Sequence, residues 1–563
     1  MRGSRQSAVK LKTYDAIVIG SGITGGWAAK ELCERGFETL LLERGRMVEH
    51  IKDYPTAQLH PWEMGHRGEL SREERERHHV QTRHYSISGE NSHFYVDDRE
   101  NPYTEIHRYD WIRTDVFGGR SLLWARMSLR WSDLDFEANL RDGTAPDWPI
   151  RYRDLAPWYE HVERFIGISG SREAIPHLPD SVFQAPMQMN CLESDFKDRI
   201  EKRFPGRRVI HPRVANLTER LPGREPCQYR NLCSRGCPYG AYFSTQSSTY
   251  PAALATGKLT VRTHALANRI LYDADKGRAT GVEFIDTNDG KTYEYKARLI
   301  FLNASTLGST HLLLNSKSRR FPNGMGNDSD QLGRNLMDHH KSGSVRGWTE
   351  AFGDRYYFGR RPGGLFIPRY VNLNSQEKDY LRGFNCQSGT ARVADRGGAG
   401  IGAPLKKAAS EPGPWVMSLS AFGECLPRPE NRVTLNNDRL DKWGRPTLSI
   451  DCRFGDNEQR MRDGAVTDMM EMLESAGMKD IRLTGEMSFP GNANHEMGTV
   501  RMGTDPKNSV LNRWNQLHAV PNVLVTDGSC MASSASVNPS LTYMALTARA
   551  VDHAASEMRK GNI

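Results

Sequence analysis

Near the start of the chain an apolar run, Ala16-Ile-Val-Ile19, stops abruptly in glycines, and a helical stretch through Leu32 and a second apolar run over 39–42 follow. Short continuous apolar runs bounded by turn residues predict buried strands of a parallel sheet. The pattern returns near the other end, where Val523-Leu-Val525 runs into Asp527-Gly528 and Asn538-Pro539 opens a last helix reaching to about Met558. Proline in a first helical turn behind Asn is an N-terminal signature, so a second helix dipole points at something near Asn538. No uninterrupted apolar run approaches the roughly 18 residues of a membrane span, and Met1–Lys10 carries basic residues with no apolar stretch before Tyr14. Neither a membrane span nor unaided Sec export is expected.

The turn after the first strand reads Gly20-Ser-Gly22-Ile23-Thr24-Gly25, and the second strand ends in Glu43-Arg44. Strand, Gly-x-Gly-x-x-Gly, helix, strand and acid together form the context that binds a dinucleotide. Gly20 permits the tight turn, Gly22 lets the backbone approach a pyrophosphate, and Gly25 lets the helix pack against the strand. Glu43 would accept hydrogen bonds from a ribose. The motif serves NAD and FAD alike; its place at the start of a long chain favours FAD, because hundreds of residues remain to wrap an elongated flavin.

Composition narrows the classes further. The 563 residues hold 76 Lys+Arg against 68 Asp+Glu, a net +8 spread over interspersed signs, so nucleic acid is not the expected partner. Nine cysteines are too few for a disulfide scaffold, yet Cys227, Cys233 and Cys237 crowd one short segment.

Several landmarks along the chain agree in order: Gly118-Gly119-Arg-Ser121-Leu122-Leu123-Trp124, Asp147-Trp-Pro-Ile150, Asn303-Ala304-Ser305-Thr-Leu-Gly308, Leu332-Gly-Arg-Asn-Leu336 with Asp338-His339, and His495 followed by Asn538-Pro539-x-x-Thr542. With the opening glycine motif, this string resembles the glucose–methanol–choline (GMC) oxidoreductase family nearly end to end. The resemblance implies an α/β FAD-binding Rossmann-like domain joined to an α+β substrate domain built on an antiparallel sheet. The expected FAD part spans 10–50, 105–150, 240–340 and 490–563, the substrate part 151–239 and 341–489, and 51–104 reads as an insertion. Also by resemblance, Gly118, Gly119, Ser121, Leu122 and Leu123 lie along the flavin. Ala267, Ala304, Ser305, Gly308, Asp527, Gly528, Asn538, Pro539 and Thr542 complete its site. Some relatives attach FAD through a His in the first of these loops; Ser121-Leu122-Leu123 carries none, so a non-covalent flavin is expected.

Oxidising an alcohol needs a base, and histidine suits that task near neutral pH. The resemblance makes His495 the base and Asn538 its partner in holding the hydroxyl. His339 and His340 read as residues that shape the domain junction, and His78-His79 as part of a solvated helical face in the charged insertion.

The segment Cys227-x5-Cys233-x3-Cys237-Pro238 puts three thiolates on one loop bent by Gly236 and Pro238. Cys-Pro also follows the last ligand of bacterial ferredoxin runs. The spacing resembles the flavin subunit of bacterial FAD-dependent glucose, gluconate and sorbitol dehydrogenases. There three such cysteines hold a [3Fe–4S] cluster; other members keep cysteines in this loop for packing alone. The resemblance further implies a small accessory subunit and a cytochrome as electron acceptor. It also implies export with that subunit to the periplasm, or else a cytoplasmic enzyme. Trp348, Tyr356-Tyr357-Phe358 and Trp415 suggest aromatic faces for a sugar ring. The glucoside 3-dehydrogenases are the relatives that the substrate side suggests most, with a sugar oxidase or a non-catalytic flavin electron-transfer subunit as alternatives.

Overall fold

The computed structural model describes residues 9–356, 361–394 and 400–563. Its larger sheet runs in the order Gln516–Leu517, Val520–Val525, Thr292–Leu302, Val9–Ile19, Thr39–Leu42, Leu259–Arg262, with Ala265–Asp273 and Arg278–Asp286 added antiparallel beside Thr292–Leu302. The apolar runs read from the sequence supply its parallel centre. Their register is level: Ile19 lies beside both Leu42 and Leu302, Leu302 beside Val525, and Leu42 beside Arg262. Strand ends that stop together open a crevice where ligands of α/β sheets bind. Gly20, Glu43, Asn303 and Thr526 are the first residues past that edge.

Glycine makes the first turn possible. Gly20 has φ +94°, and a Cβ there would lie 2.4 Å from the Asn303 carbonyl oxygen. A Cβ on Gly25 would lie 1.8 Å from the Gly20 carbonyl oxygen, so only glycine lets the helix Ile23–Glu34 start against the strand.

The second sheet is antiparallel, ordered Phe366–Ile367, Phe384–Arg392, Trp415–Gly423, Ser344–Thr349, Lys479–Thr484, with His340–Lys341 paired to the end of Trp415–Gly423. Along Trp415–Gly423 burial alternates strictly, as a two-residue period requires. Met417, Leu419 and Ala421 pack with Met461, Met469 and Met472 of the helix Asp456–Ser475. The opposite face carries Ser420 and Phe422, level with Gln387 and Asn385 on the neighbouring strand. That polar face looks toward the crevice of the first sheet. The two sheets form the α/β and α+β parts that the resemblance implied.

Three expectations need correction. In the insertion, Ser71 caps the exposed helix Arg72–Arg77 through a reciprocal pair with Glu74, but His78 is buried and its Nδ1 bonds the Val96 carbonyl at 2.9 Å. Only His79 lies on a solvated face, because the helix stops at Arg77 and the chain turns inward. The last helix is Ser540–Lys560, opening one residue after Pro539. Trp415 is a core residue whose indole N–H donates to the Phe352 carbonyl, and Trp348 donates to Asp480 on the sheet's edge strand, so neither faces the crevice. Tyr356 is exposed, and Tyr357 and Phe358 lie outside the described residues.

Candidate active site

A cavity of about 1170 Å³ runs from the glycine turn to the polar face of the antiparallel sheet. That exceeds the roughly 300–1,000 Å³ typical of a pocket for one drug-sized ligand. Gly20, Gly22, Ile23, Thr24, Glu43, Arg44, Gly119, Ser121, Leu123, Ala267, Ala304, Ser305, Gly308, Asp527 and Gly528 line it together with His495 and Asn538. Residues expected on a flavin from widely separated parts of the chain thus line one space.

The cradle fits a dinucleotide. Gly22 caps the first helix without a side-chain bond, which leaves N–H groups free at a positive helix end, and a Cβ on Gly22 would meet no protein atom within 4 Å. Asn303 Oδ1 and Asn494 Oδ1 are buried acceptors that lack a partner, on residues lining the cavity. The Glu43 carboxylate is fixed by Ser21 N–H (3.1 Å), Ser21 Oγ (2.5 Å) and Gly45 N–H (2.8 Å), and burial raises its pKa. Asp527 is held likewise by Ser309 and Ser529, and burial raises it too.

Five residues expected at the cofactor do not line the cavity. Gly25 packs on Gly20, and Gly118 donates its N–H to Ser21 Oγ at 2.7 Å. Leu122 sits in a small core with Tyr54 and Phe94, Pro539 caps the last helix, and Thr542 Oγ1 is bonded to the Tyr159 hydroxyl at 2.7 Å. These shape the cradle from behind.

Around His495 a chain of hydrogen bonds fixes proton positions. The Ala535 carbonyl only accepts, so the His339 Nε2 bonded to it carries a proton. Burial holds His339 neutral, pushing its pKa down to about 4, which leaves Nδ1 as a lone pair. His495 Nδ1, 2.8 Å away, must therefore donate to it. His495 Nε2 then carries the lone pair and accepts from the Asn538 amide nitrogen at 3.1 Å. Gln387 Nε2 donates to Asn538 Oδ1 at 3.2 Å and so turns the amide's N–H toward the histidine. Burial, with the charges of Arg120 and Lys341 adding to it, holds the His495 pKa well below its ordinary value. Asp338 grips the loop by accepting from His495 N–H (2.9 Å) and Ala493 N–H (3.0 Å). Burial lifts the Asp338 carboxyl to about 7; nearby Glu496 adds to the rise and the two N–H groups oppose it.

The cysteine loop reaches the same cavity through Cys233 and Ser234. Burial raises the Cys227 thiol to about 11 against the favourable Tyr229 N–H, with Cys233 and Cys237 adding to the rise. Among the described residues, no three His, Cys, Asp or Glu side chains converge closely enough to hold a single metal ion.

Sequence reasoning overlooked Gln387, Lys341, His84 and Tyr85, and gave His339 only a shaping role. His339 had a signal in its place directly after Asp338. The others come from the insertion and from the sheet face, where no motif marks them.

A dinucleotide cradle leading to a buried neutral histidine and an oriented amide is the arrangement of a cofactor-dependent oxidoreductase. The chain belongs to the GMC oxidoreductase family, whose models match residues 14–341 and 427–547. It is 28% identical to the 2-methyl-1,2-propanediol dehydrogenase of Mycolicibacterium austroafricanum, over 96% of this chain and 94% of the relative. It is 25% identical to the fructose dehydrogenase large subunit of Gluconobacter japonicus, over 97% and 98%. The fold matches the crystal structure of pyridoxine 4-oxidase from Mesorbium loti with a TM-score of 0.60 at 17% identity, covering 96% of this chain and 98% of that one.

Proposed function

We propose that the protein is a dehydrogenase that oxidises a secondary hydroxyl of a sugar or glycoside, at C3 of glucosides, with a non-covalent FAD. The observation that carries this reading is the His495 Nε2 lone pair, set beside the Asn538 N–H on the cavity wall. A substrate hydroxyl placed there donates to Nε2 while Asn538 bonds its oxygen, which aims the carbinol C–H in one direction. When bound, FAD supplies the acceptor for the hydride from that carbon, and the carbonyl product leaves. His495 holds the proton and His339 keeps its ring in one tautomer.

Cys227, Cys233 and Cys237 are proposed to hold a [3Fe–4S] cluster, with a small accessory subunit and a cytochrome as partners and co-export to the periplasm. Three thiols on one loop support this, since a polynuclear cluster holds its thiolates further apart than one ion does. The competing reading is an oxidase in which dioxygen takes the electrons and the cysteines only pack. Iron and acid-labile sulfide on anaerobically purified protein decide between them: flavin bands with no iron would sink the cluster.

The reaction itself is tested by anaerobic flavin bleaching with glucose and methyl glucoside, with the product carbon read by NMR. His495→Ala should slow bleaching about 10²–10⁴-fold. Unchanged bleaching would remove the base from His495.

A further inference from the structure

The cavity holds seven Lys and Arg residues, and five are neutralised. Arg44 pairs with Asp115, Arg113 with Asp98, Arg120 with Glu496, Arg361 with Glu193 and Arg445 with Asp441. The two left, Arg126 and Lys341, form no ion pair and donate no side-chain hydrogen bond among the described residues. Arg126 has a buried Nε without a partner, and its guanidinium lies 5.0 Å from the Tyr242 ring centre. Lys341 Nζ lies 5.2 Å from the Tyr85 ring centre. Tyr85 joins the two: it projects into the cavity with its side chain open to it, beside Lys341 and within reach of the Arg126 charge.

Among the described residues, the cavity offers these cations no free carboxylate. Glu43 and Asp527 are bonded within their turns, and Glu193 and Glu496 already serve arginines. An enclosed cation that no carboxylate contacts directly is costly, and a ligand anion would complete it. We propose that Lys341 and Arg126 hold an oxyanion carried by the sugar substrate, a carboxylate or a phosphate, so that the preferred substrate is an acidic sugar and not a neutral one. This rests on the alcohol-oxidising reading above and names the substrate class of that site. Burial pushes Lys341 down to about 8, with Asp338 and Asp110 opposing, and the ammonium also helps to hold His495 neutral. An anion seated at Lys341 would ease both effects, so substrate binding and base strength are coupled. The paired Arg361–Glu193 bridge, with Thr390 Oγ1 on the same carboxylate at 2.8 Å, gives the neighbouring wall polar contacts for the remaining hydroxyls.

The test compares compounds that share the glucopyranose ring and differ at C6: methyl glucoside, methyl glucuronide, glucose and glucose 6-phosphate. In the wild-type holoenzyme, kcat/KM for at least one acidic compound should exceed that of its neutral partner tenfold or more, and the arm that does so tells carboxylate from phosphate. The ratio should fall at least tenfold in Lys341→Gln and in Arg126→Gln. A wild-type ratio near one, or a ratio unchanged in both variants, overturns the proposal. A ratio unchanged in one variant removes that residue from the site. If no compound reduces the flavin, the reaction reading fails, and the charge preference is then decided by Kd from flavin difference spectra. Acidic compounds binding tenfold tighter, with loss in Lys341→Gln, sustain it; equal binding overturns it.

Discussion

His339 and His495 meet through their Nδ1 atoms at 2.8 Å, with the rings nearly perpendicular, at 86°. Because His339 is anchored to the Ala535 carbonyl, this contact decides which nitrogen of His495 faces the cavity. His339→Ala frees the tautomer. Flavin reduction should slow about 10²-fold or more while KM stays within a few fold, since the lost item is a proton position and not a substrate contact. Equal loss in KM would make His339 a binding residue.

Asp338 sets the pH dependence. Its carboxyl, lifted to about 7, is neutral below that pH and anionic above it. The anion favours the imidazolium that forms as His495 takes a proton. The rate of flavin reduction should therefore rise as pH increases through about 7, and the rise should vanish in Asp338→Asn. His495, held well below its usual value, should add no inflection near pH 6.5. A profile that keeps its step in Asp338→Asn would assign the step elsewhere.

The two glycines of the cradle should fail differently. A Cβ on Gly25 strikes the Gly20 carbonyl, so Gly25→Ala should destabilise the apoprotein itself, read as a lower Tm. A Cβ on Gly22 meets no protein atom within 4 Å and lies at the cavity wall. Gly22→Ala should keep the apoprotein Tm within about a degree or two and weaken FAD at least tenfold by titration. An FAD affinity unaltered in Gly22→Ala would place the pyrophosphate elsewhere.

Arg120 and Glu496 bridge the loop after Gly118 to the His495 loop, with contacts of 3.1 and 2.6 Å. The glutamate is buried, so Arg120→Ala leaves an uncompensated charge and should cost about 3–5 kcal/mol in urea unfolding. Adding Glu496→Gln should recover part of that loss. A double variant no better than Arg120→Ala would mean that packing and not charge holds the loops together.

The cradle was legible in the sequence because its residues act over a few positions: strand, glycines, helix and acid are consecutive from Ala16 to Glu43. His495 and Asn538 were legible only through their resemblance to a family string. The histidine pair was not, since its members stand 156 residues apart and no local pattern signals which ring faces which. Gln387 sits 151 residues before Asn538 and owes its role to strand register alone. The insertion looked like solvated surface from its charge alternation, yet His84 and Tyr85 line the cavity because the chain turns inward after Arg77. The aromatic runs erred the other way: Trp415 fills a core, and the rings that do line the cavity, such as Tyr85, Trp111 and Phe422, stand singly in the sequence.

Residues 339 to 341 alternate in direction, as extended chain must: His339 turns to His495, His340 turns to Met461 and Phe454, and Lys341 turns to Tyr85. Gly423 opposite makes room for the His340 ring, because a Cβ there would lie 2.1 Å from it. The partner of the base and the cation of the substrate pocket therefore descend as a single phase. Point substitution retunes either one separately, but a one-residue insertion or deletion after Asp338 exchanges both with the core at a stroke. A change of substrate charge at this site is therefore open to replacements at Lys341 or Arg126, whereas a change of length in this strand would displace His339 as well.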